Sequence, residues 1–182
     1  MVRKRIFQAV LALVMLGTTV AVTESPAFAA SYGPYVSWGF QSQKCTDDPN
    51  SATGNNVALE IWTCNGGKNQ QWYYEDTGDG YYWIVNVASG KCLTVKNAAL
   101  TDNTPIIQYA CNYGANEEWS ISPLFQDQND YYYYGWISNR RSGSCLTVQN
   151  ESSSNGGKLV QFTCNYGGNE EWMIDYRFIT QR

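Results

Sequence analysis

The chain of 182 residues contains no histidine. Its absence excludes a Ser-His-Asp triad, a Cys-His catalytic pair and a zinc site built on histidine. Neither G-x-x-x-x-G-K nor G-x-G-x-x-G occurs, which removes the phosphate-loop and dinucleotide-binding classes. We therefore expect no metal, no cofactor and no catalytic residues.

Long hydrophobic runs are also missing, except at the N-terminus. Basic residues at 3–5 precede an apolar stretch at 10–16, and small residues follow in Ala27-Phe28-Ala29. The apolar stretch is too short to cross a bilayer comfortably, and the pattern is typical of a secretory signal peptide. We predict a signal peptide at 1–29 and a single secreted, extracellular domain at 30–182, with no membrane insertion.

Positive charge is scarce in the predicted mature chain. Nine basic residues stand against fifteen acidic ones, a net charge of −6. An acidic chain without a basic run is a poor match for nucleic acid or for an anionic membrane.

What the chain does contain is a threefold internal repeat. In each repeat a tryptophan follows one cysteine by 27 residues and a second cysteine by 8. The three sets are Cys45, Cys64 and Trp72, then Cys92, Cys111 and Trp119, then Cys145, Cys164 and Trp172. The repeats cover approximately 35–79, 80–128 and 129–178. Self-similarity of this kind indicates a repeat architecture.

The six cysteines are predicted to form disulfides, because an exported chain folds in an oxidising compartment. Of the fifteen possible pairings, the repeat selects the one in which each repeat closes on itself. These pairs are Cys45–Cys64, Cys92–Cys111 and Cys145–Cys164. The competing interpretation is zinc bound by thiolates, but the spacing C-x18-C is not typical of metal ligands.

The residues between these landmarks favour short strands. Helical periodicity is missing, and segments rich in Tyr, Trp, Ile and Val alternate with turns rich in Gly, Asn and Ser. We predict an all-β fold of about twelve short strands, four per repeat. One repeat is too small to enclose a core, so the three repeats must share one. The three repeat tryptophans are the natural core residues.

Three features together resemble the ricin B-type lectins, or family-13 carbohydrate-binding modules. They are the threefold repeat, the Q-x-W element (intact as Gln70-Gln71-Trp72) and the C-L-x-V strand in the second and third repeats. The resemblance covers the whole predicted mature chain. It implies a β-trefoil with one potential sugar pocket per repeat. Glu117 and Glu170 occupy the glutamine position in the other two repeats, which departs from the pattern.

The resemblance also implies a set of sugar-binding residues. The family uses an Asp two residues after the first cysteine, an aromatic residue two before the second, and the Asn that opens the Q-x-W element. The first repeat matches with Asp47, Trp62 and Asn69, supported by Gln70. The second has Thr94, Tyr109 and Asn116, and the third has Thr147, Phe162 and Asn169.

The aspartate distinguishes the first repeat from the other two. A carboxylate can accept hydrogen bonds from two adjacent hydroxyls, whereas a threonine offers one neutral oxygen. The first repeat is therefore the best candidate site, and the other two are weak sites, sites of different preference, or vestigial.

These residues also have structural interpretations. Asp47 and Asp48 precede Pro49 and could hold a turn. Trp62 could pack against the disulfide, and the three asparagines could brace the turn before the tryptophan strand.

The resemblance implies a non-catalytic protein that binds galactose-type or xylose/arabinose-type glycans. Paired glutamates at 117–118 and 170–171 do not suit a glycosidase, because neighbours on a strand point to opposite faces. One alternative is a trefoil protease inhibitor that uses the insertion around 126–131. Another is a targeting subunit for a separate enzyme or toxin chain.

Overall fold

The computed structural model describes residues 37–39, 41–126, 132–175 and 179–180. These residues form strands and short turns of 3-10 helix, so the all-β prediction is confirmed. The strands are β1 (Ser37–Gly39), β2 (Lys44–Asp47), β3 (Val57–Ala58), β4 (Glu60–Trp62), β5 (Trp72–Asp76), β6 (Tyr82–Asn86), β7 (Cys92–Val95), β8 (Thr104–Tyr109), β9 (Glu118–Gln126), β10 (Tyr132–Asn139), β11 (Cys145–Val148), β12 (Gly157–Phe162), β13 (Glu171–Asp175) and β14 (Ile179–Thr180).

The described residues contain slightly more strands than the twelve predicted. Leu59 divides one predicted strand into β3 and β4, and β14 lies beyond the third repeat. The predicted signal peptide at 1–29 lies outside the described residues and stays a prediction.

Strand pairing repeats three times around the domain. Within each repeat, the strand of the first cysteine pairs with the strand before the second cysteine, as β2 with β4, β7 with β8 and β11 with β12. The tryptophan strand of each repeat pairs with the opening strand of another, as β5 with β6, β9 with β10 and β13 with β1. The repeats also meet directly, because β12 pairs with both β4 and β8. This threefold closure is the β-trefoil that was predicted.

The three repeat tryptophans lie at the centre of the core. Trp72, Trp119 and Trp172 are each 0% exposed. Each indole N–H donates a hydrogen bond to the carbonyl of the residue after the first cysteine of its own repeat: Thr46 at 3.1 Å, Leu93 at 2.9 Å and Leu146 at 2.9 Å. The rings therefore fill the core while their polar edges tie the tryptophan strand to the cysteine strand.

One disulfide closes each repeat, as predicted. The bonds join Cys45 to Cys64, Cys92 to Cys111 and Cys145 to Cys164, with Cα–Cα distances of 5.2, 5.1 and 5.0 Å. On the chain-entropy model, a bridge across a loop of about 20 residues stabilises the fold by roughly 3 kcal/mol.

The cysteine strand of the first repeat differs from its two counterparts in its buried side chains. Thr46 and Asp48 are both 0% exposed. The other repeats place apolar residues there: Leu93 and Val95 in the second, Leu146 and Val148 in the third. Neither the hydroxyl of Thr46 nor either carboxylate oxygen of Asp48 has a hydrogen-bond partner among the described residues. The interior of the first repeat therefore contains polar groups without hydrogen-bond partners at positions that are apolar in the other repeats. Departures of this kind are typical of functional sites.

Candidate functional site

The first repeat contains an open cavity of about 530 Å³. It is lined by Asp47, Pro49, Asn50, Ser51, Glu60, Trp62, Asn65 and Asn69. We call this the first-repeat pocket. Three of the four residues predicted for this repeat, Asp47, Trp62 and Asn69, lie together in it. One aromatic ring, one carboxylate and one amide that the resemblance implied therefore line a single cavity.

Trp62 presents an aromatic surface to this pocket. It lies at the end of β4, in register with Cys45 on β2, and is 41% exposed. The tryptophan therefore sits beside the disulfide and also leaves part of its ring open to a ligand. An exposed ring of this kind can cover the apolar C–H face of a sugar.

The carboxylate of Asp47 is held in place by two amide groups. Its Oδ1 accepts hydrogen bonds from Gln70 Nε2 at 2.7 Å and from Asn69 Nδ2 at 2.9 Å. Asp47 is 4% exposed, and its Oδ2 accepts no hydrogen bond from any residue that the structure describes. One oxygen is thus fixed by the protein and the other is left for a ligand.

Gln70 does not line the pocket, although it was predicted as a sugar-binding residue. The side chain is 1% exposed. Its Nε2 also donates to the carbonyl of Thr63 at 3.1 Å, and its Oε1 accepts from the backbone N–H of Asn65 at 2.8 Å. With all these contacts inside the protein, Gln70 acts on the orientation of Asp47 and not on the ligand directly.

Asn69 braces the loop as well as lining the pocket. Its Nδ2 donates to the backbone carbonyl of Asp48 at 3.1 Å. Asn116 and Asn169 make the equivalent contacts, to the carbonyls of Val95 at 3.3 Å and Val148 at 3.2 Å. The structural interpretation of these asparagines therefore holds in every repeat, and only Asn69 also contacts a carboxylate.

Two adjacent aspartates give this strand an unusual electrostatic environment. Burial raises the pKa of Asp47, although the hydrogen bonds from Gln70 and Asn69 act in the opposite direction. Burial and the nearby charge of Asp47 raise the pKa of Asp48 to about 7. The neighbouring Gln108 does not supply a hydrogen bond to this carboxylate, because its amide donates to the carbonyls of Ala52 at 2.8 Å and Gly54 at 3.1 Å. The Asp48 side chain makes no capping hydrogen bond to the turn at Pro49–Ser51, so its predicted turn role is not seen.

The second repeat has a smaller cavity, of about 400 Å³. Its lining includes all three residues predicted for that repeat, Thr94, Tyr109 and Asn116. Thr94 is 3% exposed, and its hydroxyl donates to the carbonyl of Cys92 at 2.9 Å. Among the residues that the structure describes, none of those lining this cavity carries a carboxylate. We call it the second-repeat pocket.

In the second repeat the carboxylate belongs to Glu117, which lies in the interior behind Thr94. Glu117 is 0% exposed, and its Oε2 accepts from the backbone N–H groups of Asn112 at 2.8 Å and Tyr113 at 2.9 Å. Its Oε1 lies 3.5 Å from the hydroxyl of Thr94. Burial raises the pKa of Glu117, against the lowering effect of the two backbone donors. The glutamate therefore supports the loop from within and does not face the pocket.

The third repeat copies the second at these positions. Thr147 donates to the carbonyl of Cys145 at 3.0 Å and lies 3.4 Å from Glu170 Oε1. Glu170 is 0% exposed and accepts from the backbone N–H groups of Asn165 and Tyr166. Phe162 ends β12 and is half-buried, with no polar atom to offer a sugar.

Sequence reasoning did not identify several residues of the pockets. Asn65 and Asn112 each follow the second cysteine of their repeat and line its pocket. An asparagine at that position in all three repeats was the available signal. Glu60 also lines the first-repeat pocket, but the other repeats carry apolar residues there, so repeat spacing gave no sign of it.

Family comparison agrees with the fold. A model described as "Ricin-type beta-trefoil lectin domain" matches residues 80–181, more than half of the chain. The chain belongs to the ricin-type β-trefoil lectin family. A second model, "Ricin-type beta-trefoil lectin domain-like", matches residues 39–109. A search of curated protein sequences found no match.

Solved structures similar to this ricin-type lectin domain include a designed protein and an enzyme. The designed threefold-symmetric protein ThreeFoil is 36% identical, with a TM-score of 0.70 over 78% of this chain and 97% of that one. The exo-β-1,3-galactanase 1,3Gal43A from Clostridium thermocellum is 35% identical, with a TM-score of 0.69 over 77% of this chain and 29% of that one. The Rhizoctonia solani agglutinin is 17% identical, with a TM-score of 0.65 over 78% of this chain and 93% of that one, a likeness in fold alone.

The paired glutamates of this lectin domain have separate structural roles. Glu117 is buried, as described above, whereas Glu118 forms an ion pair with Arg140 at 2.9 Å. Arg140 also pairs with Asp79 at 2.7 Å, and its guanidinium lies 4.5 Å from the ring centre of Tyr81. These contacts join Arg140 of the third repeat to the end of the first repeat and to the second repeat, on the outside of the domain.

The described residues contain no group of three or more acidic or cysteine side chains placed to hold a metal ion. No helix among them is long and apolar enough to span a bilayer. Most of the insertion at 126–131, on which the protease-inhibitor alternative rests, lies outside the described residues.

Proposed function

We propose that this chain is a secreted, non-catalytic lectin that binds glycans chiefly through the first-repeat pocket. The observation that carries the proposal is the meeting of Trp62, Asp47 and Asn69 in one cavity. Trp62 stacks on the apolar face of a sugar ring, and Asp47 Oδ2 accepts hydrogen bonds from its hydroxyls. Family membership supports carbohydrate binding in general, and the residue differences between the repeats support the choice of pocket.

Galactose-type glycans are the ligands that we favour, with xylose- and arabinose-type glycans next. One of the similar structures is an exo-β-1,3-galactanase, and this chain is 35% identical to part of it. That likeness supports a galactose-type ligand.

Attachment of an enzyme to its polymer is a second candidate role. The chain matches only 29% of the galactanase, so a domain similar to it exists within a larger enzyme. The equivalent role here is to bring a separate enzyme or toxin chain to a glycan surface. The same pocket would serve either role.

A single shallow pocket is expected to bind weakly. A dissociation constant in the millimolar range corresponds to about 4 kcal/mol. Retention on a polysaccharide would then depend on several pockets or several chains acting together.

A glycan array on the purified chain tests the proposal. Asp47→Ala is expected to abolish most binding, because it removes the carboxylate from the pocket. Thr147→Val at the equivalent position of the third repeat is the matched control and is expected to keep binding. Incubation of the same glycans with the chain is expected to release no new reducing ends. Binding that survives Asp47→Ala would place the site elsewhere, and released sugar would show an enzyme.

A further inference from the structure

The first-repeat pocket collects carboxylates that the other repeats lack. Asp47 and Glu60 line it, and Asp48 is buried next to Asp47. At these three positions the second repeat carries Thr94, Val95 and Ile107, and the third carries Thr147, Val148 and Val160. The trefoil framework therefore does not require these carboxyl groups at these positions, and of the three only Asp47 and Glu60 line the pocket.

Asp47 and Glu60 are direct neighbours across two antiparallel strands. They are in register on β2 and β4, where opposed Cβ atoms lie about 4.5–5.5 Å apart and like charges are destabilising. Burial, and then the charge of Asp47, raise the pKa of Glu60. A positive group between the two carboxylates would remove the repulsion and stabilise both charged forms.

The described part of the chain places no such positive group in the pocket, and its lining there contains neither lysine nor arginine. Lys158 is in register with Glu60 on β12, yet both ion pairs found among the described residues belong to Arg140. The Oδ2 of Asp47 also lacks a donor among these residues, although Asp47 is 4% exposed. Because Asp47 lines the open cavity, a donor carried by a ligand can reach this oxygen.

We propose that the first-repeat pocket selects glycans that carry a protonated amino group, namely hexosamine units whose amine is not acetylated. The inference rests on the proposed function, because it names the charge of the sugar that the same pocket takes. An ammonium group offers three donors, and its hydrogen bonds to carboxylates are about twice as strong as neutral ones. Asp47 and Glu60 receive the ammonium while Trp62 covers the ring. The same charges disfavour uronic and sialic acids.

Calorimetric titration of the full chain at neutral pH and low salt tests this selectivity. The ligands are galactosamine, N-acetylgalactosamine and galactose, with the glucose series in parallel. The free amine is expected to bind at least about tenfold more tightly than its acetylated form. Glu60→Gln is expected to reduce that ratio to below about threefold, since only one facing carboxylate remains. Glu151→Gln, an exposed glutamate of the third repeat, is the matched control and is expected to keep the full ratio.

A second variant keeps the test decisive if Glu60→Gln does not fold. Lys158→Ala removes the one cation in register with Glu60 and is expected to raise the affinity for the free amine. Added salt is expected to lower the amine preference in the unaltered chain.

Each outcome distinguishes this inference from the proposed function. Galactose or glucose binding without an amine preference contradicts the inference and leaves the proposed function standing. Binding of no sugar in either series contradicts both. Tighter binding of polylysine than of any amino sugar also contradicts the inference and indicates a basic protein partner.

Discussion

Gln70 donates a 2.7 Å hydrogen bond to Oδ1 of Asp47. In the second repeat the neutral residue, Thr94, occupies the position of Asp47, and the carboxylate, Glu117, occupies the position of Gln70. The Thr94 hydroxyl lies 3.5 Å from Glu117 Oε1. The third repeat follows the second. Each repeat thus keeps one carboxylate in this pair, but only the first places it in the pocket. The exchange explains why the glutamine of the Q-x-W element is lost together with the aspartate.

Gln70→Glu is expected to destabilise the fold and weaken glycan binding. The new carboxylate would face Asp47 at hydrogen-bond distance without a proton to share, at a cost of about 1–3 kcal/mol. Urea denaturation at mildly alkaline pH measures the loss. The loss is expected to shrink at acid pH, where one carboxyl of the pair takes up a proton. Gln71→Glu adds the same charge one position later and serves as control, because the other repeats carry glutamate there. Equal losses for the two variants would contradict this account of Gln70.

The exchanged pair can be transferred to the second repeat. Thr94→Asp alone is expected to destabilise the chain, because it opposes the buried carboxylate of Glu117. Thr94→Asp combined with Glu117→Gln is expected to recover the stability, since the new amide can donate to the new carboxylate. A double-mutant cycle in urea measures the coupling, which we expect to be about 1–3 kcal/mol.

The double variant is also expected to bind glycan through the second-repeat pocket, where Tyr109 supplies the ring. Titration in an Asp47→Asn background isolates that pocket from the first. If the effects of Thr94→Asp and Glu117→Gln on the free energy of unfolding are additive, or if the double variant gains no glycan binding, the aspartate does not account for the difference between the first and second repeats.

Much of this architecture could be predicted from the sequence. Cysteine and tryptophan spacing fixed the repeats, and the repeats fixed the disulfides and the shared core. The resemblance to the ricin B-type lectins implied Asp47, Trp62 and Asn69, and the structure places these three residues in one pocket. Repeat spacing then shows which residues occupy the equivalent positions in the other two repeats.

Two features of the site could not be obtained in this way. Gln70 was grouped with the sugar-binding residues as their support, but the sequence does not show that its amide hydrogen-bonds to Asp47 and Thr63 inside the protein. Asp48 and Glu60 occur in one repeat only, so no repeated pattern marked them. Their roles depend on burial and on the opposing strand, which only the folded chain defines.

Asp48→Val is expected to stabilise the protein at neutral and mildly alkaline pH. Valine occupies this position in the other two repeats, and neither carboxylate oxygen of Asp48 has a hydrogen-bond partner among the described residues. Removal of an unsatisfied buried polar group is worth about 1–3 kcal/mol. Urea denaturation measures the gain, and Glu151→Gln on the surface is the control. Loss of stability at neutral pH would contradict the structure around Asp48.

The same variant is expected to flatten the dependence of stability on pH. The pKa of Asp48 rises from an ordinary 3.8 to about 7 in the folded chain. Between those values the folded state holds a proton that the unfolded state has lost, so stability falls as pH rises through this window. Asp48→Val removes that contribution. Part of the dependence of stability on pH remains, because burial also raises the pKa values of Asp47, Glu60 and Glu117.

The central claim, that the first repeat binds glycan, is tested most directly by comparing Trp62→Ala with Phe162→Ala. The two residues are equivalent in the first and third repeats, and Trp62 is 41% exposed, so its truncation leaves the core intact. Calorimetric titration with the best glycan from the array gives the dissociation constants. We expect Trp62→Ala to weaken binding at least about tenfold and Phe162→Ala to change it less than about twofold. An equal loss in both variants, or a loss only in Phe162→Ala, would contradict the account.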